Sequence, residues 1–425
     1  MAKRSAAVTR SQWMSLKMSA VPTMAMRLSK NQGGYAPHQI QASEDIADRI
    51  ERDGFSALAG APRSGKTATA IRVCELLHFD SVLVFTPKAA IPGWHSEIER
   101  TGTQVNLTIT NYEQAHKLNG EDYDFVILDE SHRLGARGKP NKRFQNIRQV
   151  AWKHPLLIMS GTMVIESPLA IYHQQAISQH GPFRYKNFYE FWRRYGIPST
   201  INVNGHTIEQ HNKSKPELDE RIDQIVVTMT QADAGIVGKA IDELHVVKLS
   251  PETKELIAQA RDGVIEIDGE EILLESIIAE RLAIHQIEYG GLKIGDDYWQ
   301  TENDEVADYI LEKFGDHNKL ALMSHYVSTR QVFERKFKKA RLLSSNAHAE
   351  GMDLSGYTDF VVAGTDFSGA KHAQRRERGI NMMKRGDAVV HFIVTNGGIS
   401  REVYKTVTDK KDFNLALYRR WRGGR

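Results

Sequence analysis

Residues Gly60 to Thr67 read Gly-Ala-Pro-Arg-Ser-Gly-Lys-Thr and fill every fixed position of the phosphate-binding spacing G-x-x-x-x-G-K-[ST]. Small residues let backbone N–H groups close around phosphate oxygens. Gly60, Pro62, Arg63, Ser64 and Gly65 are therefore the expected phosphate-side residues of the loop. Lys66 is expected to carry positive charge to the β- and γ-phosphates, and Thr67 to offer its hydroxyl to Mg²⁺. A helix starting just after the loop would add its N-terminal dipole.

A second set of residues suits the same chemistry. Asp129-Glu130-Ser131-His132 directly follows the apolar run Phe125 to Asp129 (FVILD), where a Walker-type acidic pair belongs. Asp129 is the candidate Mg²⁺ ligand, and Glu130 the candidate base that orients and deprotonates an attacking water. An isolated acidic pair at a strand end is ordinarily just solvated. The phosphate loop some sixty residues upstream is what favours the catalytic reading. Phosphoryl transfer also needs cationic charge against its transition state, and Gln374-Arg375-Arg376-Glu377-Arg378 supplies it on an expected helix.

These residues must be positioned by a framework, and the apolar runs indicate which. Phe55 to Ala59, Ser81 to Thr86, Asn106 to Thr110, Phe125 to Asp129 and Leu156 to Ser160 read as strands. Helices are expected from Tyr35-Ala36-Pro37-His38-Gln39 to about Glu51, over Ala68 to Leu77, and over Trp94 to Arg100. Near-continuous apolar strands alternating with helices imply a parallel sheet covered on both faces, with ligands at the carboxyl ends of its strands. Lys66, Asp129 and Ser160 all fall there.

From Glu302 a second alternating region begins, with strands Leu320 to Ser324, Arg341 to Ser344, Phe360 to Ala363 and Val389 to Val394. Helices are expected between them over Ser328 to Lys338 and Ala370 to Met383. The fold class is thus α/β, two tandem units with parallel sheets and a cleft between them, plus a helical and hairpin brace. In the brace, Phe183, Tyr185, Phe188, Tyr189, Phe191, Trp192 and Tyr195 have the spacing of one buried helix face, although such rings could also stack on bases. Asn204-Gly205 and Asp268-Gly269 carry hairpin signals. The expected organisation is a basic extension over 1–34, a first lobe over 35–232 with the brace from about 182, a second lobe over 233–400, and a C-terminal helix with a basic tail over 401–425.

Bulk properties set limits. Hydrophobic residues at 41% and charged residues at 26% describe an ordinary globular chain. A net charge of +3 is too small to argue for nucleic acid alone, although residues 1–34 carry six basic and no acidic side chains. Both basic ends are expected to be solvated. Cys74 is the only cysteine, which excludes an intrachain disulfide and fits a reducing cytoplasm. No apolar run approaches a membrane span, and the N-terminus lacks the apolar core of a secretory signal.

The order of motifs resembles superfamily two helicases, specifically the Swi/Snf-like branch of double-stranded DNA translocases, and most of all its small phage or bacterial members. Tyr35 to Gln39 is similar to the adenine-recognising Q motif, Leu58 to Thr67 to motif I, Val82 to Arg100 to motif Ia, and Ile109 to Glu113 to motif Ib. Asp129 to His132 resembles a DEAH-type motif II with Ser in third place, and Ser160-Gly161-Thr162 motif III. Glu350 to Leu354 resembles motif V, and Gln374 to Asn381 occupies motif VI.

The resemblance covers about Tyr35 to Asp412 and implies two RecA-like P-loop lobes that hydrolyse ATP with Mg²⁺ and step along a nucleic-acid backbone. It implies that Gln39 contacts adenine, that Gly351, Asp353 and Gln374 line the nucleotide from the second lobe, and that Arg378 reaches across to the phosphates. It further implies that Ser160 and Thr162 couple nucleotide state to lobe position, and that Lys88, Asn111, Tyr112, Ser324 and His325 lie toward the nucleic acid.

Two departures stand out. The second lobe looks trimmed between Lys338 and Arg341. The family pattern of motif VI, Gln-x-x-x-Arg-x-x-Arg, ends here on Asn381. Either Arg378, aided by Arg375 or Arg376, suffices, or turnover is slow. A nucleotide-gated binding protein with weak ATPase and an RNA-directed helicase are the alternatives, while a P-loop kinase or GTPase would leave motifs V and VI without a role.

Overall fold

The computed structural model describes residues 34–135, 138–161, 163, 167–203, 206–236, 240–267, 269–301, 304–344, 356–369, 372, 387–409, 413 and 415–423. Two parallel sheets organise it. A helix over Pro37–Asp53 leads in, started by Pro37 and ended by Gly54 in the left-handed region at φ 71°. The first strands follow as β1 (Phe55–Gly60), β2 (Ser81–Thr86), β3 (Asn106–Asn111), β4 (Phe125–Asp129) and β5 (Leu156–Ser160).

A short antiparallel hairpin, β6 (Ser199–Val203) with β7 (His206–Gln210), precedes β8 (Val226–Met229). The first sheet runs β3-β2-β4-β5-β1-β8 with every pairing parallel. Parallel strands need crossovers, and the helices Lys66–Leu76, Ile91–Thr101 and Lys142–Ala151 supply them. β1, β2, β4 and β5 are buried almost throughout because both faces are covered. One covering layer holds Phe85, Leu128, Ile158 and Phe191, the other Ile46, Ile71, Val84 and Trp94.

The brace packs into the first of these layers. Phe183, Phe188, Phe191 and Tyr195 are buried there around the helix Phe188–Tyr195, while Tyr189 stays exposed. The aromatic run is a packing face in this sheet's core rather than a base-stacking platform.

The second sheet is built from β9 (Ala240–Val247), then, after the hairpins β10 (Val264–Ile267) with β11 (Glu270–Leu273) and β12 (Gly291–Ile294) with β13 (Asp297–Gln300), from β14 (Leu320–Ser324), β15 (Arg341–Ser344), β16 (Asp359–Ala363) and β17 (Ala388–Thr395). Its order is β15-β14-β16-β17-β9, again all parallel. A tight turn joins the helix Val327–Lys336 to β15, where the Asp316 carboxylate accepts the backbone N–H groups of Lys338, Lys339 and Ala340.

Three features differ from the sequence expectations. β8 and β9 were not expected as strands, because β8 has only four residues and β9 (AIDELHVV) mixes acidic and apolar positions. The helix after the phosphate loop begins at Lys66 rather than Ala68, since Gly65 at φ 86° serves as its cap. The C-terminal helix Leu415–Gly423 is docked through one face, with Tyr418 buried and Arg422 donating to the Arg261 carbonyl at 2.8 Å and lying 3.4 Å from Glu280, while Arg419 and Arg420 are exposed as expected. The expected helix over Ala370 to Met383 falls largely outside the described residues. No helix among the described residues is long and apolar enough to cross a membrane.

Candidate nucleotide site

Parallel register brings the carboxyl ends of β4, β5 and β1 side by side. Ala59 pairs with Ser160, and Asp129 with Met159, so the phosphate loop, the acidic pair and Ser160 share one edge. This is where an open α/β sheet leaves room for a ligand.

The loop itself is tightly wound. Gly65 at φ 86° and Arg63 at φ 68° take left-handed conformations, which glycine adopts freely and arginine does not. A Cβ on Gly65 would stand 2.0 Å from Gln39 Nε2, and one on Gly60 would stand 2.3 Å from Lys66 Cγ. At Gly65 the backbone angle itself favours glycine, whereas at Gly60 a side chain would displace the Lys66 stem. The leading helix holds the loop from below, with a His38 ring nitrogen 2.8 Å from the Ser64 carbonyl oxygen. Gln39 is buried and accepts the Ala36 N–H at 2.9 Å, so its amide lies between its own helix start and Gly65.

Lys66 Nζ donates to the Gly60 carbonyl at 2.9 Å, which folds the side chain across the loop. Thr67 sits beside it, half-buried on the first turn of the helix Lys66–Leu76. The Ser64 hydroxyl is buried and has no hydrogen-bond partner among the described residues. An orphaned donor inside a glycine-lined cradle fits a phosphate-bearing ligand. Gly161 faces the same cradle, where an added Cβ would lie 3.8 Å from Lys66 Nζ and 4.0 Å from Pro62.

The two carboxylates are neighbours in sequence with opposite electrostatics. Asp129 is buried and its Oδ2 accepts from Thr86 Oγ1 at 2.8 Å and from Trp94 Nε1 at 3.0 Å. Burial and the adjacent Glu130 charge push its carboxyl up to about 6, against the pull of Trp94, Lys66 and Thr86. Glu130, directly after β4, takes a left-handed conformation at φ 52°. Burial works against its charge too, but hydrogen bonding to His132, the charges of Lys66 and His132, and Ser160 outweigh it and hold the carboxyl near 2.

A triangle of polar groups ties the Glu130 carboxylate to β5. Ser160 Oγ donates to Glu130 Oε2 at 3.3 Å, while His132 Nδ1 lies 2.8 Å from Ser160 Oγ and 3.3 Å from Glu130 Oε2. Ser131 turns the other way, donating to Gln174 Oε1 at 2.8 Å, and Gln174 Nε2 donates on to the Met163 carbonyl. The end of β5 is thereby connected to Glu130 through side chains.

Two of the residues expected toward the nucleic acid are buried. Tyr112 is only 2% exposed, and its hydroxyl donates to the Asp129 carbonyl; it stacks on Phe85 and braces the end of β4. Ser324 is likewise buried, with its hydroxyl directed at the Leu343 carbonyl 3.5 Å away. Both close the ends of apolar strands, where an uncovered hydroxyl finds a backbone acceptor more readily than a surface. Lys88 is exposed; Asn111 accepts the Glu113 N–H through Oδ1, and His325 packs against Tyr326. Thr162, Gly351, Asp353, Gln374, Arg378 and Asn381 lie outside the described residues.

Four contributors were not singled out from sequence. Thr86 and Trp94 orient Asp129, His38 supports the loop, and His132 bridges Glu130 to Ser160. Their signal was available only as proximity to the motifs. No protein-family model matches the chain, and no curated protein matches it.

Proposed function

We propose that the chain is an ATP-driven nucleic-acid motor of the superfamily two type, hydrolysing ATP at the edge formed by Lys66, Asp129 and Glu130 and moving along double-stranded DNA. The observation that carries this reading is the convergence on one sheet edge of a glycine cradle with an orphaned Ser64 hydroxyl, a buried Asp129 and a Glu130 tied through His132 to Ser160. In this reading the two parallel sheets are RecA-like lobes, and Arg378 of the second completes the phosphate environment of the first.

Thr67 and Asp129 would hold Mg²⁺, with Asp129 Oδ1 presented to the cation because Thr86 and Trp94 both occupy Oδ2. Bound MgATP would supply the electrophilic phosphorus and the charge neutralisation that phosphoryl transfer needs. The chain's own part begins with Lys66, which would exchange its Gly60 carbonyl for phosphate oxygens. Glu130, held ionised, would orient water and accept its proton. Ser160 and His132 would register the loss of the phosphate by re-forming the triangle, which conveys nucleotide state to β5 and the segment beyond.

Contacts to the nucleic-acid backbone would make the motor indifferent to sequence. The test is steady-state ATP hydrolysis with no nucleic acid, duplex DNA, single-stranded DNA or RNA. Stimulation by duplex DNA supports the motor, and no stimulation by any of the three nucleic acids discards it. Asn381, where an arginine is expected, favours one second reading: a nucleotide-gated clamp with weak hydrolysis. Single-turnover hydrolysis at rates ordinary for motors excludes the clamp.

A further inference from the structure

The second sheet carries a side-chain cluster that the nucleotide reading does not use. Glu243 and His245 stand two apart on β9 and so project to one face, and His391 lies opposite Glu243 across the β9–β17 ladder on that same face. Their donor atoms converge. His245 Nε2 is 3.1 Å from His391 Nδ1 and 3.4 Å from Glu243 Oε1, while His391 Nδ1 is 3.5 Å from Glu243 Oε2.

We propose that Glu243, His245 and His391 form a binding site for a divalent transition metal of the zinc class, clipping the outer strand β9 to β17. Donors about 2.0–2.2 Å from a tetrahedral ion stand roughly 3.3–3.5 Å from each other; the imidazole nitrogens here are slightly closer at 3.1 Å, and Glu243 turns one oxygen toward each of them, at 3.4 and 3.5 Å. Two imidazoles and one carboxylate are a donor set for zinc, cobalt, nickel or copper, whereas Mg²⁺ and Ca²⁺ take oxygen ligands. A three-residue set leaves the fourth position to water.

The surroundings also suit a site. The Tyr309 hydroxyl lies 3.0 Å from His245 Nδ1, where it can accept from Nδ1–H once an ion holds Nε2. The Phe314 ring packs on both imidazoles, at 5.7 Å from His245 and 4.8 Å from His391, and shields the inner side. Glu243 is exposed, which gives an ion a way in.

Lys313 opposes binding. Its Nζ is 3.1 Å from His245 Nδ1 and 3.6 Å from Glu243 Oε1. An ammonium only donates, so Nδ1 must accept from it, and that tautomer places the proton on Nε2. Metal binding at Nε2 therefore requires the ring proton to move to Nδ1, donating to Tyr309, and Lys313 to swing off. Its side chain is 41% exposed and free to turn toward solvent. The ammonium is thus a built-in competitor for the ion, and its removal should tighten binding.

The test uses tag-free full-length protein, stripped with a chelator, dialysed, and titrated with Co²⁺ in the absence of nucleotide. The expected result is one equivalent of cobalt giving intense visible bands of tetrahedral coordination, displaced by one equivalent of Zn²⁺ and unaffected by Asp129→Asn. Glu243→Gln and His391→Ala should each weaken binding about tenfold or more, and Lys313→Met should strengthen it. Glu243 is exposed, so its variant decides the matter even if His391→Ala fails to fold. The weak spectrum of six-coordinate cobalt, or tetrahedral bands unchanged in Glu243→Gln, overturns the proposal.

Discussion

Asp129 and Glu130 are adjacent carboxylates driven in opposite directions, and the difference has consequences for stability as well as for chemistry. Asp129 has its carboxyl raised to about 6 when folded, against 3.8 unfolded. The folded state therefore binds the extra proton, and stability falls as pH rises from about 4 to 6, then stays reduced. Two pH units correspond to about 3 kcal/mol. Glu130 runs the other way, with stability present above its unfolded value of 4.5 and lost as pH falls toward about 2.

Asp129→Asn is accordingly expected to raise the melting temperature of the nucleotide-free protein at pH 7, because the amide oxygen can still accept from Thr86 and Trp94 without a buried charge. It should also lose hydrolysis, and calorimetry beside an ATPase assay checks both. Glu130→Gln should lower kcat by about 10²–10⁴ while ATP affinity, read by equilibrium binding, changes little. An equal loss of binding and turnover would instead make Glu130 a ligand for the nucleotide.

At the scale of elements, the loop from Gly60 to Thr67 is wound on glycine, with Gly65 in the left-handed region and Gly60 against the Lys66 stem. Gly65→Ala places a methyl group in a left-handed conformation and into Gln39, and should abolish ATP binding, with a loss of stability of about 1–2 kcal/mol from the backbone alone. Denaturant unfolding and nucleotide titration measure the two effects separately. Phe191 is fully buried in the layer that the brace shares with the first sheet, so Phe191→Ala should destabilise that unit by about 3–5 kcal/mol.

Much of this was readable in the sequence for a physical reason. Strands such as Leu156–Ser160 and Phe125–Asp129 are buried on both faces, so their apolar runs are continuous and their ends fall where the polar motif residues begin. β8 and β9 were not legible because β8 has only four residues and β9 (AIDELHVV) mixes acidic and apolar positions. Tyr112 misled for a different reason. A motif position tells what kind of side chain is present, while the chain folds back over the 17 positions from Tyr112 to Asp129 and buries it beneath the end of β4.

At the scale of the whole molecule, the proposed motor needs the second parallel sheet to act on the first. The motif that would do so carries Arg378 and, three residues later, Asn381 where an arginine is expected. If the arginine deficit limits turnover, Asn381→Arg should raise kcat and Arg378→Ala should lower it by on the order of 10³. A rise with neither variant's binding altered would place the effect in the chemical step.

The central claim is that this chain couples ATP hydrolysis at Lys66 to contact with nucleic acid. Its most direct measurement is ATP turnover by the wild-type protein and by Lys66→Ala, each with and without duplex DNA. The account predicts hydrolysis that duplex DNA accelerates in the wild type and that Lys66→Ala abolishes under both conditions. Wild-type turnover indifferent to DNA, or full activity in Lys66→Ala, would contradict it.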